Sequence, residues 1–176
     1  MLRIRVARPE DAAALASLAE RTFREAFSDT NDEADMELHC SRSFGVELQL
    51  REIRDADYVT LLGERDGRLA GYSQLKRHSP QPCVPLERPS ELYRLYVDSR
   101  WHSSGVAQML MTETLAAAAT ASSDGIWLGV WEHNLRAIAF YRKFGFELVG
   151  EHDFFLGQDK QRDLIMALTL DSPPAA

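Results

Sequence analysis

Between Glu91 and Phe144 the chain alternates in a way that leaves few architectures open. Glu91 to Asp98 is β-prone, Ser104 to Thr120 has helical spacing, Ile126 to Trp131 is β-prone again, and Asn134 to Phe144 is a second helix. A strand-helix-strand-helix order of this kind builds a sheet that carries its helices on its faces, so the class is α/β.

The flanks fit that class. Leu2 to Ala7 alternates as a short strand, and Pro9, Glu10 and Asp11 then supply a helix start with negative charge near its N-terminus. Leu15, Leu18, Ala19, Thr22, Phe23, Ala26 and Phe27 follow the three-then-four spacing of one buried helix face. Asp32 to Phe44 and Val46 to Arg54 read as two further helices. Tyr58 to Glu64 and Arg68 to Lys76 are β-prone runs joined by Asp66-Gly67, a pair suited to a tight hairpin turn, so they should pair antiparallel. Four prolines between Ser79 and Pro89 forbid a helix or a central strand there. Glu147 to Leu156 and Asp163 to Leu170 close the chain as strands around the turn-like Gly157 to Lys160. The tail, residues 171–176, is expected to fray.

With 176 residues, one domain over residues 1–170 is the expected organisation. No apolar stretch is long enough to cross a bilayer, and the opening MLRIRVARPED lacks the apolar core of a secretory signal, so a cytoplasmic protein is expected. Cys40 and Cys83 have no metal-type spacing and read as free thiols; no metal is expected. Twenty Lys and Arg against 27 Asp and Glu give a net charge of −7. That balance repels a phosphate backbone and excludes nucleic acid as the expected partner, while mildly attracting cations.

The chemistry concentrates in two segments. From Leu95, Tyr96 and Val97 the chain leaves a strand, turns through Asp98 to Ser103, and enters a helix with small residues at Ser104, Gly105 and Ala107. Free amides at a helix start and its dipole stabilise an anion, and small side chains let the backbone approach a phosphate closely. In the second segment Asn134 is a natural N-cap and Gly145 a natural stop. Ala137, Phe140, Tyr141 and Phe144 share a face, so Tyr141 points at the sheet as a core residue or a catalyst.

Together the two segments resemble the signature motifs of GNAT N-acetyltransferases. The first pattern in that family is Arg or Gln, two residues, Gly, one residue, then Gly or Ala; here His102, Gly105 and Ala107 hold those places, and His102 is the departure. The second, Asn-x-x-Ala-x-x-x-Tyr-x-x-x-Gly-Phe, is matched without a gap by Asn134, Ala137, Tyr141, Gly145 and Phe146. The resemblance spans nearly the whole chain. Trp127 to Glu132, Phe23 to Phe27, and Gly157 with Gln158, Asp159, Gln161, Asp163 and Met166 are similar to the PaiA-type branch, associated with polyamine acetylation.

The resemblance implies a mixed central sheet of about six to seven strands flanked by helices, with coenzyme A in the splay between two parallel central strands. It implies acetyl-CoA as cosubstrate, held by Leu95, Tyr96, Val97, His102, Ser103, Ser104, Gly105, Val106, Ala107, Asn134 and Tyr141. It also implies a backbone N–H near a bulge at Val97 for the thioester carbonyl, and often a homodimer. Tyr141 is the candidate acid for the departing thiolate. Glu91, opening the strand and sharing a face with Tyr93, Leu95 and Val97, is the candidate base. Glu25 is a candidate holder of a cationic substrate. Arg136, Arg142 and Lys143 could meet the adenosine 3′-phosphate, Trp127 and Trp131 read as packing, and His78 and His152 read as surface residues. The acceptor is a primary amine, with a polyamine, another small amine, an amino acid or a protein N-terminus all open. An acyl-CoA-binding regulatory module without transfer is the rival reading.

Overall fold

The computed structural model describes residues 1–170, so the expectation for 171–176 lies outside the described residues. The strands are β1 (Leu2–Val6), β2 (Tyr58–Arg65), β3 (Arg68–Lys76), β4 (Pro89–Val97), β5 (Gly125–Trp131), β6 (Glu147–Leu156) and β7 (Asp159–Thr169). They form one seven-stranded sheet in the order β1-β2-β3-β4-β5-β7-β6. Five α-helices cover it: α1 (Ala12–Phe27), α2 (Glu33–Ser43), α3 (Val46–Arg54), α4 (Val106–Thr120) and α5 (Leu135–Lys143).

Local chemistry sets most of these boundaries. Asp66 and Gly67 adopt φ of 51° and 75°, which turns β2 into β3 as the Asp-Gly pair predicts. Asp32 caps α2 by accepting from the Ala34 amide at 2.8 Å. On α1 the residues Leu15, Leu18, Ala19, Thr22 and Phe23 are buried and Phe27 packs against their cluster, whereas Ala26 is exposed. β7 starts earlier than expected: Asp159 and Lys160 pair with Leu156 and Phe155, so the turn is only Gly157-Gln158.

The core lies on both sides of the sheet. On one side Leu15, Leu18 and Phe23 of α1 and Met36 of α2, with Phe44 just beyond, pack on Leu62 and Tyr72. On the other, Val106, Leu110, Met111 and Ala118 of α4, with Ile138 and Tyr141 of α5, pack on Leu61, Ile126, Leu128 and Met166. Each fully buried leucine or methionine here contributes about 1.5–3 kcal/mol of apolar transfer. The proline-rich segment is not wholly solvated, since Val84 is buried against Trp127 and Ile165.

One defect in this regular sheet positions the site. β4 and β5 are the parallel pair, and they are joined only from Pro89–Gly125 to Glu91–Trp127. Immediately afterwards β4 bulges: Leu75 of β3 faces Leu92 while Gln74 faces Arg94, which leaves Tyr93 as the extra residue. A bulge bends its strand and adds twist, and from Leu92 to Val97 β4 has no partner on its β5 side. The bulge expected near Val97 is therefore at Tyr93. The insertion also inverts the alternation, so Glu91 lies on the face of Arg94 and Tyr96, not on that of Leu95 and Val97.

Candidate active site

The gap between β4 and β5 is lined by backbone. Asp98 N donates to Ala70 O at 2.9 Å, and antiparallel pairing alternates hydrogen-bonded and non-bonded residues. By that alternation Tyr96 turns its amide and carbonyl to β3, whereas Leu95 and Val97 turn theirs into the gap. Tyr96, expected among the cofactor-binding residues, thus turns its backbone away from the gap.

At the mouth of the gap Asp98 caps the single turn Ser99–Trp101, accepting from the Arg100 amide at 3.1 Å. Ser103 and Gly105 then adopt φ of 59° and 89°. Gly105 in that left-handed conformation delays the helix from the expected Ser104 to Val106. A Cβ on Gly105 would meet nothing within 4 Å, so the space before these amides is open. The His102 and Ser104 amides are spent on the Ser99 and Trp101 carbonyls at 3.2 and 3.3 Å. Those of Ser103, Gly105, Val106 and Ala107 remain for an anion, beside the positive end of α4. Arg65 steadies the loop by donating to Ser104 O at 3.1 Å.

The His102 ring places Nε2 2.9 Å from Val97 O, and Arg136 from α5 reaches its Nδ1 at 3.1 Å. The departure at this position is thereby bridged to a guanidinium across the mouth. Asn134 caps α5, its Oδ1 accepting from Ala137 N at 3.2 Å, which leaves its amide hydrogens for another partner.

Tyr141 is buried in the wall of the gap with its ring edge-on to Phe140 and Phe146. Desolvation alone drives its phenol well above the ordinary value, so it stays protonated at every physiological pH. Tyr96 sits on the opposite face of the sheet, stacked on Tyr72 and edge-on to Phe23, and its own phenol is raised by burial and by the nearness of Tyr141 and Asp163. The two tyrosines thus approach each other through the opening between the strands.

This arrangement agrees with what known proteins show. Residues 12–146 match the Acetyltransferase (GNAT) family. The chain belongs to that family. An uncharacterized N-acetyltransferase of Mycobacterium tuberculosis (strain ATCC 25618 / H37Rv) is 36% identical over 131 residues, covering 71% of this chain and 80% of that protein. The spermine/spermidine N(1)-acetyltransferase of Bacillus subtilis (strain 168) is 24% identical over 136 residues, 73% of this chain and 90% of the relative. In fold, the chain superposes on the PaiA N-acetyltransferase of Thermoplasma acidophilum in complex with coenzyme A with a TM-score of 0.78, at 22% identity, over 97% of this chain and 99% of that one.

This GNAT chain is accordingly an acetyl-CoA-dependent N-acetyltransferase with a mixed seven-stranded sheet. The open amides of the α4 mouth fit a diphosphate, and the unpaired edge of β4 fits an amide-bearing thread. Acetyl-CoA supplies the activated acyl thioester. Among the described residues no helix is long and apolar enough to cross a membrane, and no group of three or more His, Cys, Asp or Glu is placed to hold a metal.

On the far face the sequence-based assignments fare unevenly. Glu91 is largely buried at the last β4–β5 pair, accepts from Ser79 Oγ at 2.8 Å, and has its carboxyl raised mainly by desolvation. Trp127 packs as expected and donates from Nε1 to Ser79 O at 2.7 Å. Glu25, the candidate holder of a cationic substrate, accepts from Ser99 N at 3.3 Å beside Arg21, in the cluster around Asp98. His152, read as a surface residue, is half-buried with Nε2 3.8 Å from Asp163 Oδ2. Asp163 was not singled out for chemistry, although one signal was available. It alternates with Ile165 and Ala167, which join the Trp127 cluster, so a charge occupies an inward place on a strand.

Proposed function

We propose that the protein moves the acetyl group of acetyl-CoA to a primary amine of a small cationic acceptor, a polyamine among them, by direct attack in a ternary complex. Leu95 and Val97 turn backbone groups toward the pantetheine arm, and an amide of that pair receives the thioester oxygen, where a preorganised donor is worth about 3 kcal/mol. The amides of Ser103, Gly105, Val106 and Ala107 hold the diphosphate, His102 with Arg136 closes over it, and Asn134 adds a hydrogen bond to the arm.

Tyr141 donates a proton to the sulfur as the carbon–sulfur bond breaks. Glu91 takes the proton that the attacking nitrogen loses, directly or through water. The observation that carries this reading is the meeting, at one break in the sheet, of unpaired β4 backbone, a buried protonated phenol, and a desolvated carboxylate whose affinity for protons is raised. The negative balance of the chain, −7, and the likeness to a spermine/spermidine acetyltransferase favour a cationic acceptor.

A panel of amines incubated with acetyl-CoA tests it: thiol release should depend on the amine and favour cationic acceptors. Tyr141→Phe should lower kcat by about 10²-fold or more with the KM for acetyl-CoA nearly unchanged. Equal turnover of that variant at saturating substrate rejects Tyr141 as the acid, and coenzyme binding without amine-dependent release rejects transfer.

A further inference from the structure

The buried carboxylates of this protein are almost all satisfied. Asp98, with a side chain 1% exposed, accepts from Arg21 at 2.7 Å and from Arg100 at 2.9 and 2.7 Å. Glu52, 8% exposed, accepts from Arg94 at 2.7 Å and Gln74 at 3.0 Å. Asp11, 15% exposed, is held by two nitrogens of Arg5 at 2.7 and 2.8 Å.

Asp163 is different. Its side chain is 13% exposed, yet it accepts no hydrogen bond of normal length from any described residue, and its ion-pair partner His152 stands off at 3.8 Å. Desolvation raises its carboxyl accordingly. A partly buried carboxylate whose nearest protein donor is an imidazole at 3.8 Å is a place where a ligand can supply a closer one.

The surroundings say what kind of ligand. Asp163 and His152 stand over Gly129 of β5, where a Cβ would come within 3.3 Å of Asp163 Oδ2 and 3.5 Å of His152 Nε2. The missing side chain leaves a notch in the floor of the cleft, on the face of Glu91 and Trp127. The Asp163 charge reaches the Tyr96 phenol, which in turn feels Tyr141, so the notch lies within electrostatic reach of the proposed reacting centre. His152 lies within electrostatic reach of both Glu91 and Asp163. Two desolvated carboxylates therefore flank one imidazole, and Glu91 has a donor in Ser79 at 2.8 Å whereas the nearest to Asp163 is His152 at 3.8 Å.

We infer that Asp163 is an acceptor-binding residue that takes a second, non-reacting ammonium of the substrate, selecting amines that carry a distal positive charge. This rests on the reading that the protein acetylates an amine. The notch over Gly129 admits the chain of such a substrate, and the distal ammonium donates the hydrogen bonds that the carboxylate lacks. Ion pairs of this partly buried, hydrogen-bonded kind are the strong ones.

The experiment compares 1,4-diaminobutane with butylamine, which has the same reacting amine and no distal charge. The wild-type protein is expected to prefer the diamine in kcat/KM by about 10- to 100-fold, the usual range for a hydrogen bond to a charged group. In Asp163→Asn that ratio should fall to about one, through the KM for the diamine, with butylamine kinetics and the KM for acetyl-CoA unchanged. Gly129→Ala should likewise lower the ratio by filling the notch.

A ratio that survives Asp163→Asn overturns the inference, as does an equal loss on both amines. Calorimetric titration of 1,4-diaminobutane into the coenzyme A complex separates the two readings. Diamine binding abolished by Asp163→Asn in a protein that transfers nothing keeps the site and sinks the transfer. Transfer with a ratio indifferent to position 163 does the reverse.

Discussion

Asp98 and Asp163 bracket the break in the sheet, one at the end of β4 and one on β7, and the protein treats them in opposite ways. Asp98 caps a turn and is gripped by two arginines, which hold its carboxyl far below the ordinary range. Asp163 is given no donor at hydrogen-bond distance, and burial pushes its carboxyl up. The charge at the helix mouth is saturated by the chain itself; the one assigned to the acceptor is not. Stability and recognition thus draw on different carboxylates, and substitutions that separate the two test the distinction.

The largest effect is expected where a saturated charge loses its partner in the core. Arg94, 8% exposed, binds Glu52, Gln74 Oε1 and the Ser43 carbonyl, and lies over the Phe44 and Tyr93 rings. Arg94→Met leaves Glu52 buried and unpaired and should cost about 3–5 kcal/mol in urea unfolding. Adding Glu52→Leu should recover much of that loss, because the orphaned charge and not the missing contact is the main penalty. A double variant as unstable as the single one would show that the network's hydrogen bonds dominate instead.

Asp98→Asn is expected to be the next largest, about 1.5–3 kcal/mol for lost charge-assisted bonds, with a signature in pH. Because the folded value is depressed, the stability from Asp98 is fully present above the unfolded value of about 3.9 and is lost as pH falls through the folded one. Chemical denaturation at pH 7 and at pH 3 should show the gap between wild type and variant narrowing with acid. A constant gap would mean that the arginines act by packing alone.

How much of this was readable beforehand follows the same division. The helix mouth and the α5 helix were legible because backbone chemistry writes itself in residue types: Gly105 among the small residues of a helix start, Asn134 where a helix needs a cap, Tyr141 on the apolar stripe. A mixed sheet of about six to seven strands was legible only through family resemblance, and the strand order was not legible at all, since pairing between distant strands leaves no local mark. The bulge at Tyr93 was placed too late, near Val97, because an extra residue in a β-run has no composition of its own, and that error carried Glu91 to the wrong face. Asp163 enters the sequence reading only through the PaiA-type resemblance and His152 only as a surface residue, because it is the pairing of β6 with β7 that brings the two together over Gly129.

The smallest expected change in stability is at Asp163, and its sign is the sharpest test of the comparison. Its carboxyl is faced by His152 from β6, Tyr96 from β4 and Gly129 from β5, none of which donates to it at normal hydrogen-bond length. With the folded value raised, the folded protein holds this proton more tightly than the unfolded chain does. Ionisation therefore subtracts stability as pH rises through the interval from the unfolded value, about 3.9, to the folded one, and the penalty is complete above it. Asp163→Asn removes that penalty. At pH 7 and without an amine present, the variant should be as stable as the wild type or more stable, by up to about 1 kcal/mol, and the difference should disappear toward pH 3. A diamine should raise the wild-type Tm and leave that of the variant unmoved, since a ligand stabilises only the state that binds it. If Asp163→Asn instead weakens the fold as Asp98→Asn does, the two carboxylates are alike and the contrast between them fails.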